Sequence, residues 1–216
     1  MKVENLNQTA ILIDVDFLCK LIMHNYSFYR DFLPWKELPN LKITDIIRYI
    51  AVNGRIHERG HKVDVILYYN PAHRILPFSQ KPNNIAQFLD FTKNDYFFET
   101  DEGIFYLRSY FSDTATLEWD IEDQDAFNYK YMEGFRQILN KVVHTDSICH
   151  IVLFADNEYL NEDLNSYMKL GKFFYIERDH SSDTHYDLEI EDIGKYYYVD
   201  ANYVIAYSMG LSNSEI

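Results

Sequence analysis

The chain alternates short, unbroken apolar runs with longer amphipathic stretches. Ala10–Ile13 is apolar and ends in Asp14; Asp16 follows, and then Phe17, Leu18, Leu21 and Ile22 recur at helical spacing. This predicts a buried strand that delivers two carboxylates into a strand-to-helix turn, with a helix to about His24 and Asn25 breaking its stripe. Residues 30–42, with Pro34 and Pro39, read as a loop. Ile46, Ile47, Ile50, Ala51 and Ile56 predict a second helix, with Thr44 as a cap and Gly60 as a stop. Val63–Tyr69 is a second buried strand. Strand, helix, helix, strand is a crossover unit, which implies a parallel pair and an α/β sheet.

Beyond Asn70-Pro71 the pattern loosens. Residues 71–94 read as irregular, with a short helix at Ile85–Leu89. Tyr96–Glu99 and Ile104–Tyr110 flank Thr100-Asp101-Glu102-Gly103, a hairpin signal, and Ala115–Trp119 reads as another short strand. The 71–119 region is therefore an insertion or an elaborated sheet edge. Asp123–Val143 is the strongest helix, with Ala126, Phe127, Tyr131, Phe135, Ile138, Leu139 and Val142 on one face. Ile148–Ala155 predicts a third buried strand, Glu158–Leu170 a helix stopped by Gly171, and Lys172–Ile176 a fourth strand. Residues 178–192 read as an acidic loop entering a short strand at Tyr186–Ile190. Tyr196–Met209 reads as a helix or a strand plus helix. The expected architecture is one α/β domain over 1–216, a Rossmann-like three-layer sandwich with a mainly parallel central sheet.

Composition narrows the partners. An apolar share of 47% supports a real core. The net charge of −14 is concentrated: residues 113–192 carry 19 acidic and 6 basic side chains. Such a surface repels phosphate backbones unless a bound cation reverses the sign locally. The N-terminal stretch has no apolar signal core and no window approaches a membrane span, so a cytoplasmic protein without membrane contact is expected. Cys19 and Cys149 lie in apolar segments without zinc-ligand spacing and read as buried free thiols. The 19 Tyr and 15 Phe make an aromatic surface for a protein partner or a second copy an expectation, though Tyr68-Tyr69 and Tyr196–Tyr198 read first as packed rings.

The candidate chemistry comes from two matching stretches. ILIDVDFL and IVLFADNEYL each place an Asp at the end of a buried strand with a helix next. An acidic helix cap would explain one of them alone. If the strands are neighbours in a parallel sheet, Asp14 and Asp156 meet along one edge, and hard oxygen ligands there favour Mg²⁺ or Mn²⁺.

The same stretches resemble the PIN-like nucleases, in particular the NYN branch. Leu12-Ile13-Asp14-Val15-Asp16 is similar to that family's first element, VILYYN to its second, Ile151–Asp156 to its late acidic strand and Gly171–Tyr175 to its last strand. The chain departs where Phe17 replaces an expected Asn and Glu158 an expected Asp. The resemblance implies a metal-dependent nuclease cleaving RNA phosphodiester bonds. Asp14, Asp16, Asp123 and Asp156 would hold Mg²⁺ or Mn²⁺, and Asp14, Asp156 and Glu158 would carry catalysis; Asp120 and Asp125 are alternatives to Asp123. RNA would be approached through the bound metal.

Two other classes compete. The hhhhDxD opening also resembles haloacid dehalogenase-like phosphatases, with Asp14 as nucleophile, Asp16 as general acid, late acids at Asp156 and Asp163 and a lysine at Lys141; Phe17-Leu18 stands where that family has Gly-Thr. In the third class the fold is kept, the acids are caps, and the protein binds a partner without catalysis. His180, Ser181, Ser182, Asp183 and His185 share one polar loop, which reads as solvated, not as a triad. His57, His61 and His73 are expected at the surface.

Overall fold

A computed structural model describes residues 8–32, 43–56, 61–69, 96–111, 124–155, 160–178 and 196–208. The elements are β1 (Thr9–Asp14), α1 (Val15–Phe32), α2 (Ile43–Asn53), β2 (Lys62–Tyr69), β3 (Tyr96–Thr100), β4 (Gly103–Phe111), α3 (Gln124–Val143), β5 (His150–Phe154), α4 (Asn161–Tyr167), β6 (Phe173–Arg178), β7 (Tyr196–Asp200) and α5 (Ala201–Ser208). A 3₁₀ turn, Met168–Leu170, extends α4 and stops at Gly171, whose φ of 74° suits glycine.

The strands form one seven-stranded sheet in the order β3-β4-β2-β1-β5-β6-β7. Every pairing is parallel except the β3–β4 hairpin at the edge. Without β3, the six parallel strands follow the order third, second, first, fourth, fifth, sixth, which is that of a doubly wound Rossmann-like sheet.

The central runs Ala10–Ile13 and Ile151–Phe154 are apolar throughout because helices cover both faces. Ile11, Ile13, Val63, Val65 and Leu67 face one layer, against α1, α2 and α5. Ala10, Leu12, Ile66, Tyr68, Ile151 and Leu153 face the other, against α3 and α4. All six residues of β1 are buried, as expected for the central strand. The last helix, α5, buries Ala201, Val204, Ile205 and Ala206 in the first of these layers.

The hairpin closes through Asp101-Glu102, with Thr100 opposite Gly103. Arg48 on α2 holds Glu102 through Nε at 2.9 Å to each carboxylate oxygen. Burial works to raise the Glu102 carboxyl, but hydrogen bonds involving Thr100 and Arg48 outweigh it and leave it below its ordinary value.

Several local expectations change. Helix α1 runs to Phe32, well past His24, because Asn25 does not break its buried face. Asn25 is itself buried, donating from Nδ2 to the Leu21 carbonyl and to Asn202 Oδ1 on α5. Helix α2 ends at Asn53, before Gly60, and Thr44 lies within its first turn. Ile56 N–H donates to the Ala51 carbonyl and Arg55 N–H to that of Val52, a Schellman closure with Arg55 at φ 61°. Cys19 is buried as expected, whereas Cys149, just ahead of β5, is exposed. His61, expected at the surface, is half-buried and hydrogen-bonds Thr9 Oγ1 at 2.6 Å. The expected elements at 85–89, 115–119 and 186–190 lie outside the described residues. Among the described residues, no helix is long and apolar enough to cross a membrane.

Candidate functional site at the C-terminal edge of the sheet

Helices α1 and α2 connect β1 to β2 over one face, while α3 and α4 enter and leave β5 over the other. Strands β1 and β5 are direct parallel neighbours, with Ile13 opposite Phe154. Their C-terminal ends therefore flank the topological switch point, the place where open α/β sheets bind ligands.

Asp14 is the last residue of β1, and α1 starts at Val15 with no loop between them. Its Oδ1 accepts the backbone N–H of Asp16 at 3.0 Å and of Phe17 at 3.2 Å, so Asp14 is the N-cap of α1. A third donor comes from the opposite helix layer: Tyr131 on α3 gives its hydroxyl to the same Oδ1 at 2.7 Å. All three bonds fall on Oδ1, and Oδ2 carries none of them.

The residue is 3% exposed. Burial, then the charge of Asp16, raises the Asp14 carboxyl to about 7; the Tyr131 and Phe17 hydrogen bonds and Lys20 pull the other way. Tyr131 is held well above its ordinary value by burial and by the Asp14 and Asp16 charges, so its hydroxyl stays a donor.

Tyr131 is itself anchored. Tyr68, near the end of β2, donates its hydroxyl to the Tyr131 carbonyl at 2.9 Å, and the two ring centroids lie 4.8 Å apart. Gly134 makes the room: a Cβ there would stand 2.1 Å from the Tyr68 hydroxyl. Sequence reasoning placed Tyr131 on a core face and Tyr68 among packed rings. The available signal was Gly134 inside an otherwise regular amphipathic helix.

Of the expected site residues, Asp14 and Asp16 stand together at the start of α1, with Asp16 half-buried in its first turn. Asp120, Asp123, Asp156 and Glu158 lie outside the described residues. Asp125 is in the first turn of α3. Ala155, immediately before Asp156, is buried at the end of β5. Of the two late acids of the phosphatase pattern, Asp163 is paired with Arg136 Nε at 2.5 Å, and the pattern's Lys141 is exposed on α3. The loop with His180 and His185 lies outside the described residues.

Asp14 fits a hard cation by donor chemistry: a carboxylate with one oxygen fixed by second-layer bonds and the other bearing none of them. Among the described residues, no group of three His, Cys, Asp or Glu side chains could hold a metal ion. A dinucleotide phosphate is a poorer fit. The first N–H groups of α1, which would cradle it, are taken by Asp14 itself, and no glycine-rich loop separates β1 from α1.

No curated protein and no solved structure matches the chain. A family profile does match it, over residues 3–216, nearly its full length. The chain belongs to the family of unknown function DUF6621.

Proposed function

We propose that the chain is a divalent-metal-dependent phosphodiesterase of PIN/NYN-like type acting on RNA. One observation carries this reading: β1 and β5 are parallel neighbours at the switch point, so the strand end bearing Asp14 lies beside the strand end that leads to Asp156. Asp14 would bind Mg²⁺ or Mn²⁺ through Oδ2, with Asp16, Asp123 and Asp156 completing the shell directly or through water. Glu158 would position the attacking water. The ion would supply charge neutralisation at the scissile phosphate. It would also offset the acidity of residues 113–192, against which a polyanion must be held. With its carboxyl near 7, Asp14 must release its proton to solvent before it can bind the ion, so binding should strengthen as pH rises from 6 to 8.

A second reading has its own support. The Oδ1 bonds of Asp14 are those of a complete helix cap, which is what a non-catalytic binding domain would keep. Phe97, Tyr129 and Tyr203 give such a domain exposed aromatic surface.

The test is Asp14→Asn, which can still cap α1. Wild-type protein should bind Mn²⁺ by calorimetry and cleave single-stranded RNA, and the variant should lose both by at least ~100-fold. RNA cleavage unchanged by the substitution would refute the site. Hydrolysis of a generic phosphomonoester without RNA cleavage would favour the phosphatase. Neither activity and no metal binding would leave the binding domain.

A further inference from the structure

We infer that Tyr131 is a positioning residue that fixes the plane of the Asp14 carboxylate, so that only one of its oxygens is left to meet a divalent ion. The inference rests on the metal reading above and adds a residue from the opposite helix layer to it.

The argument is geometric. A capping Asp is normally held by backbone N–H groups of its own helix, here those of Asp16 and Phe17. Those two bonds reach the carboxylate from the α1 side only. The Tyr131 hydroxyl reaches the same Oδ1 from α3, at 2.7 Å, and is the shortest of the three. With Oδ1 accepting three donors, turning the carboxylate out of its plane would break all three bonds in a buried setting, where each lost bond is costly. Asp14 therefore offers Oδ2 as a single-oxygen ligand. The positioning group is braced in turn, because Tyr68 binds its backbone carbonyl and Phe135 packs edge-on against the Tyr68 ring at 5.6 Å between centroids. Outer partners of this kind orient metal-bound carboxylates and typically change affinity by about 10–100-fold when removed.

The experiment uses the full chain and Mn²⁺ as the probe. Free Mn²⁺ is measured by electron paramagnetic resonance for wild type, Tyr131→Phe, Asp14→Asn and Lys172→Met, the last lying at the opposite edge of the sheet. Thermal unfolding is followed in parallel. Infrared difference spectra record the separation of the two carboxylate stretches on Mn²⁺ addition. Tyr131→Phe should weaken Mn²⁺ binding about 10–100-fold. It should also narrow the carboxylate splitting, because Oδ1 then keeps only its two backbone bonds and is less firmly withheld from the ion. Lys172→Met should lower thermal stability and leave the Mn²⁺ affinity within about twofold.

Wild-type affinity and an unchanged infrared signature in Tyr131→Phe, with binding lost in Asp14→Asn, would overturn the inference and leave the metal reading standing. Equal weakening by Tyr131→Phe and Lys172→Met would also overturn it, by showing a general stability effect. Wild type binding no Mn²⁺ would remove the metal reading beneath it.

Discussion

Where the parallel strands begin, half-buried polar side chains tie one segment of chain to another. Lys172, just before β6, donates through Nζ to the carbonyls of Thr145 at 2.6 Å and Ile148 at 2.5 Å. His150 at the start of β5 donates through Nε2 to the Gly54 carbonyl at 2.9 Å, and His61, ahead of β2, bonds Thr9 at the start of β1. Burial lowers both Lys172 and His150 from their ordinary values. Where the strands end, burial acts on an acid instead, and Asp14 is raised to about 7. The same desolvation thus has different consequences at the two edges. His150 and Lys172 spend their donors on carbonyl groups that must be satisfied anyway. Asp14 sits near the middle of its titration at neutral pH, so a proton can change its state. One edge is a set of staples and the other is a poised carboxylate.

The largest expected effect tests that contrast by pH. The folded-state value of Asp14 lies above the ordinary 3.8. The folded protein therefore binds this proton more tightly than the unfolded chain. Its stabilisation is fully present below the unfolded value and is lost as pH rises through about 7. At ~1.4 kcal/mol per pK unit the full contribution is ~4 kcal/mol. His150 acts with the opposite sign, contributing above its ordinary 6.5 and losing that contribution as pH falls through its lowered value. Urea unfolding of wild type and Asp14→Asn at pH 5 and pH 8 separates the two. The wild type should lose several kcal/mol relative to the variant between these pH values. An identical pH slope in both proteins would end the description of Asp14 as poised.

A smaller effect is expected at Gly134. Alanine there drives a methyl group into the Tyr68 hydroxyl, and the buried ring has little room to yield. Overpacking of this kind costs about 1–3 kcal/mol, against ~1 kcal/mol gained in helix propensity. Gly134→Ala should therefore lower stability by up to ~2 kcal/mol. It should also loosen the Tyr68–Tyr131 bond, and so weaken Mn²⁺ binding alongside stability. At the opposite edge, Lys172→Met removes two bonds to carbonyls and should cost ~1–2 kcal/mol, with the wild-type pH slope retained. Chemical denaturation checks both. A Lys172→Met protein that lost the pH slope would show that the two edges are not independent.

What could be read from sequence follows the range of the interactions involved. The strands were legible because helices cover both faces of the sheet and leave unbroken apolar runs such as Ala10–Ile13 and Ile151–Phe154. Asp14 was legible because it ends one of those runs. Tyr131 was not, because a tyrosine on the apolar face of a helix looks the same whether it only packs or also donates. Its partner is 117 residues away in sequence. Asn25 misled for the same reason: it reads as a break in the stripe until its bond to Asn202, 177 residues on, is known. Cys149 lies in an apolar segment but just ahead of β5, where the chain reaches the surface. The end of α2 was hidden because the left-handed position that closes it carries Arg55 where glycine is usual.

That last position gives the smallest and most local test. Arg55 is exposed, with φ 61°, and its N–H is already used in the closure of α2. A left-handed conformation costs an ordinary residue about 1–2 kcal/mol, while glycine adds up to ~1 kcal/mol of unfolded-chain entropy. Arg55→Gly should therefore raise stability by ~0.5–1 kcal/mol, a shift of ~1–4 °C for a chain of this length. The neighbouring Gly54 must stay glycine, because a Cβ there would meet Val152 Cγ2 at 2.4 Å. The gain is confined to the edge of staples, since the Gly54 carbonyl that receives His150 belongs to the same turn. Thermal unfolding of Arg55→Gly should thus shift upward by the same amount in Asp14→Asn as in wild type. A gain that depended on residue 14 would mean that strain at the start of the strands is felt at their end, and the staples and the poised carboxylate would be parts of one device.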